Sequence, residues 1–176
     1  DQAFLSAFLA EAQLTVSLQH ANVVQVFDLG SLGDSYYMVL EFVDGENLQA
    51  VLRNSVRSNR RLHLREACFI VQQIAEGLAY AHERTDSKGK PMGIVHRDVN
   101  PANVMISRSG EVKLADFGIA KAATRQSTTQ TGMVKGKTGY FAPEQILGQE
   151  LDQRSDVFLL GILLYEALTG KQPFDG

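Results

Sequence analysis

Cysteine occurs once, at Cys68, so no disulfide can form within the chain and an oxidising compartment is not suggested. Basic charge is not in excess. Seventeen Lys and Arg stand against 20 Asp and Glu, giving a net charge of −3 and a pI near 5.8. That balance gives no electrostatic reason to expect nucleic acid or a membrane surface as partner. No apolar run approaches the roughly 20 residues that span a bilayer. The opening Asp1-Gln2-Ala3-Phe4 lacks the basic start of a secretory signal. Internal repeats, low-complexity blocks and long linkers are also missing. What remains is ordinary globular composition over 176 residues, with 44% hydrophobic and 21% charged residues. The length fits one reduced, cytosolic-type domain or part of a larger one.

The patterning suggests an α+β architecture. Phe4, Leu5, Phe8, Leu9 and Ala12 recur at helical spacing and predict an amphipathic helix over residues 2–18. Asn22 to Asp28 and Ser35 to Val43 read as two strands of a hairpin around the turn Ser31–Asp34. A short helix is expected over Asn47 to Arg53, and a long buried one over Leu64 to Glu83. Ile94-Val95, Val104–Ile106 and Val112–Leu114 are short β-type runs. Residues 116–140 form a polar stretch, which at that length inside a domain is usually functional. Glu144 to Leu147 predicts a helical turn, and Asp156 to Leu168 a helix buried on most sides. Cys68 is expected in the core. His20 and His82 are expected to be structural, since no companion Cys or His has zinc-type spacing. The Arg57–Arg61 cluster reads as a solvated loop.

The chemistry concentrates between Ile94 and Gly118. Asp98 lies between two short β-type runs, Asn103 follows five residues later, and Asp116-Phe117-Gly118 begins eighteen residues beyond Asp98. Two acids and an amide at strand ends suit phosphoryl transfer. One carboxylate can deprotonate an attacking hydroxyl, and oxygen ligands suit Mg²⁺. Each motif alone is weak. The ordered set is strong: His96-Arg97-Asp98 with Asn103, then Asp116-Phe117-Gly118, then Ala142-Pro143-Glu144, then Ser155-Asp156-Val157-Phe158 with Gly161.

With these motifs the sequence resembles the catalytic domain of a eukaryotic-like Ser/Thr protein kinase of bacterial type, over its whole length from the helix called αC to the one called αF. The resemblance implies a two-lobe kinase fold, incomplete here. Residues 1–43 would be a remnant of the N-lobe, and residues 44–176 a partial C-lobe. It implies ATP and Mg²⁺ as cofactors, a protein substrate, and a kinase-domain dimer for autophosphorylation. It also implies a cytoplasmic location, with a parent that can be membrane-anchored. Asp98 would be the catalytic base, and Asn103 and Asp116 the Mg²⁺ ligands. Glu11 matches the αC glutamate, and His20-Ala21-Asn22 the turn after αC. Leu40 would be the gatekeeper. The backbones of Glu41 and Val43 would bind adenine, Asn47 would reach the ribose, and Met105 would pack under the ring. His96 and Phe117 belong to the regulatory stack, and Gly118 lets the next loop turn. Arg97 implies an activation loop organised by phosphate, with Thr129 and Thr131 as the phosphorylation sites. Asp156 should accept backbone N–H groups from the loop around His96 and Arg97.

The sequence also departs from the family pattern. No lysine precedes Lys88, and no Gly-rich loop of the GxGxxG type occurs. Lys113 is not in a phosphate-facing position, and the helix after αF that in the family supplies an arginine partner for Glu144 is expected to be missing. The isolated chain is therefore expected to be poorly stable and weakly active. Asn100, which the resemblance places with Asp98 in the catalytic set, stands where a lysine usually touches the γ-phosphate and brings no charge, and Thr15 stands where an apolar residue usually stacks. Thr138 stands one place after the usual threonine. Two alternatives accompany the kinase reading: a pseudokinase or scaffolding module, and a small-molecule phosphotransferase.

Overall fold

The computed structural model describes residues 15–33, 35–117 and 139–174. Glu11, Gly118, Thr129, Thr131 and Thr138 lie outside them, as does most of the helix expected over residues 2–18; its end at Thr15 and Val16 is helical. The chain then builds a two-stranded sheet, a three-stranded sheet and a helical layer.

β1 (Val26–Leu32) and β2 (Ser35–Leu40) form an antiparallel hairpin, paired from Val26↔Leu40 to Leu32↔Ser35. The strand expected over Asn22 to Asp28 is split. Leu114 donates to the Asn22 carbonyl (2.8 Å) and its own carbonyl accepts from Val24 N (2.9 Å). This places Val23 and Val24 in the core, while pairing with β2 carries β1 on to Leu32. β2 ends at Leu40, short of the expected Val43.

β3 (Gly45–Asn47), β4 (Val104–Ser107) and β5 (Val112–Leu114) make the second, antiparallel sheet in that order. Gly45 permits the close approach of β3 to β4, because a Cβ there would lie 1.9 Å from the Ile106 carbonyl oxygen. Ile94-Val95 joins no strand.

α1 (Leu48–Arg57) outruns its expected end at Arg53. α2 (Leu64–His82) buries Ala67, Ile70, Ile74, Gly77, Leu78 and Ala81, one stripe at helical spacing. Cys68 is exposed, contrary to expectation, because it lies about 100° around the helix from Ala67. α3 (Pro143–Ile146) is a single turn. α4 (Gln153–Thr169) begins on Asp152, whose carboxylate accepts from Arg154 N, and stops at Gly170 in the left-handed region (φ 70°). α2 packs on α4, and Ile74, Leu78, Leu159 and Leu163 share one core with Val104, Val112 and Leu114 of the second sheet. Each such side chain stabilises by about 1.5–3 kcal/mol when fully buried. The helix expected to be buried on most sides has an open face, with Val157, Phe158 and Tyr165 exposed. No helix among the described residues is long and apolar enough to cross a membrane.

Candidate active site

Asp156 organises the loop from His96 to Asn103. It sits in the first turn of α4 and is fully buried. Its Oδ2 accepts from His96 N (2.8 Å) and from His82 Nε2 (2.8 Å), and its Oδ1 accepts from Arg97 N (2.7 Å). A buried carboxylate is costly without such partners. Arg97 adopts φ 66°, a left-handed conformation that a non-glycine residue holds only where its surroundings impose it. Asp156 grips its N–H, and Gln145 Nε2 donates to its carbonyl (2.8 Å). The other end of the Gln145 amide accepts from Ala142 N (2.8 Å). Gln145 therefore ties the Ala142-Pro143-Glu144 segment to the catalytic loop. Its only sequence signal was its place directly after that motif.

His96 is fully buried between this loop and β5. Its Nε2 bonds the Ala115 carbonyl (2.9 Å), and Asp98 N donates to its Nδ1 (3.2 Å). A carbonyl only accepts and an amide N–H only donates, so His96 is the neutral Nε2–H tautomer. Burial holds its pKa below the ordinary imidazole value, outweighing the nearby carboxylates of Asp156, Asp98 and Asp116. The ring lies 4.6 Å from that of Phe117. The two expected members of the regulatory stack are therefore in contact.

The Asp98 carbonyl accepts from Asn100 Nδ2 (2.8 Å) and Asn103 Nδ2 (2.9 Å). Asn103 Nδ2 also reaches Asp98 Oδ2 (3.2 Å), leaving Asn103 Oδ1 as an acceptor for a cation. Ala115 N donates to the Asn103 carbonyl (2.8 Å), which brings the start of the Asp116 loop beside Asn103. Asp116 then turns at φ 58° with its side chain exposed. No hydrogen bond joins that side chain to Asp98 or Asn103 among the described residues. The donor set for a metal is thus one carboxylate, Asp116, and one amide oxygen, Asn103 Oδ1, with the Asp98 carboxylate beside them as the expected base. It suits Mg²⁺, which binds through few protein oxygens and completes its shell with phosphates and water.

Asn100 caps the turn that follows Asp98. Its Oδ1 accepts from Ala102 N (2.9 Å) and its Nδ2 holds the Asp98 carbonyl, capping the 3₁₀ turn Pro101–Asn103. Its side chain thus bonds the loop's own backbone on both sides. Asn47 is similar: its Oδ1 accepts from Ala50 N (2.9 Å) and caps α1, so that oxygen is not offered to a ribose.

In the segment after β2 that is expected to bind adenine, the hinge of the kinase resemblance, Glu41 N donates to the Gln25 carbonyl (2.8 Å). Among the described residues, no protein group bonds the Glu41 carbonyl or the Val43 N–H. One acceptor and one donor therefore remain two residues apart, a pattern that suits adenine. Leu40 ends β2, and half-buried Met105 lies on β4 opposite Lys113.

Two bonds anchor the far side. Glu144 accepts from Ser155 Oγ, and the Tyr140 hydroxyl donates to Glu166. Burial, then the Glu166 carboxylate, push the Tyr140 hydroxyl far above its ordinary pKa. His20 stacks on Tyr80 at 4.9 Å, and Asn22 Nδ2 bonds the Val112 carbonyl (2.9 Å), so His20 and Asn22 hold the chain against α2 and β5.

The chain matches the protein kinase domain family over residues 1–176. It is 44% identical over 171 residues to the tyrosine-protein kinase MasK of Myxococcus xanthus, covering 97% of this chain and 26% of that protein. It is 41% identical over 176 residues to the serine/threonine-protein kinase PrkC of Bacillus subtilis, covering all of this chain and 25% of that protein. With the serine/threonine-protein kinase PknA of Mycobacterium tuberculosis the identity is 42% over 181 residues, covering 39% of that protein. This chain therefore spans well under half the length of these relatives. The crystal structure of the Mycobacterium tuberculosis PknI kinase domain superposes with a TM-score of 0.76 at 30% identity, covering 99% of this chain and 61% of that one. By sequence and by fold, this chain belongs to the protein kinase family.

Proposed function

We propose that the chain is the catalytic core of a protein serine/threonine kinase, which transfers the γ-phosphoryl of ATP to a protein hydroxyl. The observation that carries this reading is the contact of Asn103 Nδ2 with both the carbonyl and the carboxylate of Asp98. It orients a base and a metal-facing oxygen with one amide. Magnesium-bound ATP would supply the phosphoryl group and neutralise the charge on its leaving group. Asp98 takes the proton of the attacking hydroxyl at its carboxylate. Asn103 Oδ1 and the Asp116 carboxylate would hold the metal. The Glu41 carbonyl and Val43 N–H would bind adenine, with Leu40 and Met105 flanking the ring. Asn100 brings no charge to the phosphoryl group. In this reading residues 1–43 belong to the N-lobe and residues 44–176 to the C-lobe, a division supported by the separate sheet that β1 and β2 form. Glu11 would pair with an ATP-positioning lysine. Thr129 and Thr131 would take phosphate from a second copy of the kinase domain, in a transient dimer on the cytoplasmic side.

The test is phosphotransfer by the complete kinase domain with radiolabelled ATP and Mg²⁺, followed by phosphoamino-acid analysis. Phosphoserine or phosphothreonine is expected, including phosphate on Thr129 and Thr131. Asp98→Asn should lower the rate by about 10²–10⁴-fold. Equal rates for wild type and Asp98→Asn would overturn the catalytic assignment. Phosphotyrosine alone would overturn the Ser/Thr specificity.

A further inference from the structure

Lys113 has no role in the chemistry described so far. It lies on β5, three residues before Asp116, with a side chain only 12% exposed. Its Nζ is 2.7 Å from Glu41 Oε1 at the hinge. The other carboxylate oxygen, Glu41 Oε2, accepts from Gln25 N (3.1 Å), while Glu41 N donates to the Gln25 carbonyl (2.8 Å). Glu41 and Gln25 thus hold each other reciprocally. The segment carrying Gln25 is itself bonded to β5 on both sides of Leu114, through Asn22 O and Val24 N. Hinge, residues 22–25 and β5 close a ring of short contacts, and Glu41–Lys113 is its only side-chain ion pair.

The neighbouring pair Asp44–Arg108 shows the contrast. Its side chains are 70% and 81% exposed at 3.2 Å, so water and salt screen it and it contributes little. Glu41, at 26% exposure, is screened less. Burial alone would raise its carboxyl, yet Lys113 and the Gln25 N–H outweigh burial and hold it below the ordinary range. Lys113 is ion-paired in turn, so its Nζ is not a phosphate ligand. The adenine-binding peptides lie at Glu41 and Val43, one end of the ring. Asp116 lies just past the other end.

We propose that Glu41 and Lys113 are a positioning pair that sets the spacing between the adenine-binding peptides of the hinge and the magnesium aspartate, Asp116. The proposal rests on the kinase reading. A nucleotide held at both ends binds well only when those ends are correctly spaced. Breaking the pair should therefore weaken nucleotide binding more than it slows transfer. A pair that only stabilised the fold would lower the melting temperature without moving KM for ATP.

The experiment uses the complete kinase domain. In Lys113→Met, KM for ATP should rise about 3- to 10-fold, the range expected for a coupled charge pair, with kcat within about twofold. KM for the peptide substrate should stay unchanged. Glu41→Gln should do the same, Lys113→Arg should restore most of the loss, and the double variant should be no worse than the worse single. Unchanged KM for ATP in both single variants, or effects that add fully in the double, overturns the proposal. So does loss of folding in both, which would make the pair purely structural. A wild-type domain that neither binds ATP nor transfers phosphate overturns the kinase reading and this proposal with it. A wild-type domain that does both, beside unaffected variants, removes only the positioning pair.

Discussion

Replacing Asp156 by alanine tests the link between α4 and the catalytic loop. The side chain is fully buried and accepts from His96 N, Arg97 N and His82 Nε2. Truncation leaves two backbone N–H groups without their acceptor. Each buried, unsatisfied donor costs about 1–3 kcal/mol, so the sum is about 2–6 kcal/mol. His82 Nε2, on a side chain only 10% exposed, loses its acceptor too and adds to this cost. Arg97 also loses one of the restraints that hold its left-handed conformation, another being the bond from Gln145 Nε2 to its carbonyl. Asp156→Asn retains one acceptor and removes a buried charge. It should cost about 1–3 kcal/mol, the loss of one backbone partner. The assay is urea unfolding of the complete kinase domain, with kcat measured on the same preparations. The predicted order of stability is wild type, then Asp156→Asn, then Asp156→Ala, and kcat should fall in the same order because Asp98 follows directly on the disturbed residues. An alanine variant within about 0.5 kcal/mol of wild type would refute the reasoning, since that is the range of an ordinary surface substitution.

His96 should make stability depend on pH. Its folded pKa lies below the unfolded value of about 6.5, so the unfolded chain binds the proton more readily. The contribution is complete above pH 6.5 and is lost as pH falls from there toward the folded pKa. Melting temperatures of wild type and His96→Asn between pH 7.5 and 5 should therefore show a steeper decline for wild type; parallel curves would contradict this. Cys68 is exposed, so a thiol reagent should titrate it in the native domain at the rate found in urea. Protection that disappears only on unfolding would place it in a core. Leu163→Ala should cost about 2–5 kcal/mol through the cavity it leaves among Ile74, Leu78 and Leu159, and equilibrium unfolding reads this directly.

Much of this was legible in the residues. The β-branched runs Val104–Ile106 and Val112–Leu114 are strands, and the helical stripe from Ala67 to Ala81 marks α2 almost to its ends. Asn103 and Asp116 could be placed at strand ends because their motifs flank those runs, whereas Asp98 follows Ile94-Val95, which forms no strand, and sits in a loop. Local apolar content could not say which neighbours a segment meets. Val23 and Val24 read as part of a hairpin, yet they pair with Leu114, 91 and 90 residues away. Cys68 and Phe69 are apolar, but they fall off the stripe and face solvent. Asn47 and Asn100 show a further limit. A short amide before a helical turn serves equally as a cap or as a ligand, and the local backbone decides. Here both are caps. The bonds Gln145–Arg97 and Glu41–Lys113 join residues 48 and 72 positions apart, and no spacing rule reaches them.

The central claim is that Asp98, Asn103 and Asp116 serve one magnesium-bound nucleotide. Its most direct test is Mn²⁺ binding, followed by electron paramagnetic resonance, in the complete kinase domain with ATP present. Asn103→Ala and Asp116→Ala should each lower Mn²⁺ affinity by at least about tenfold, while Asp98→Asn should change it less. Equal affinity in wild type and in both ligand variants would contradict the account.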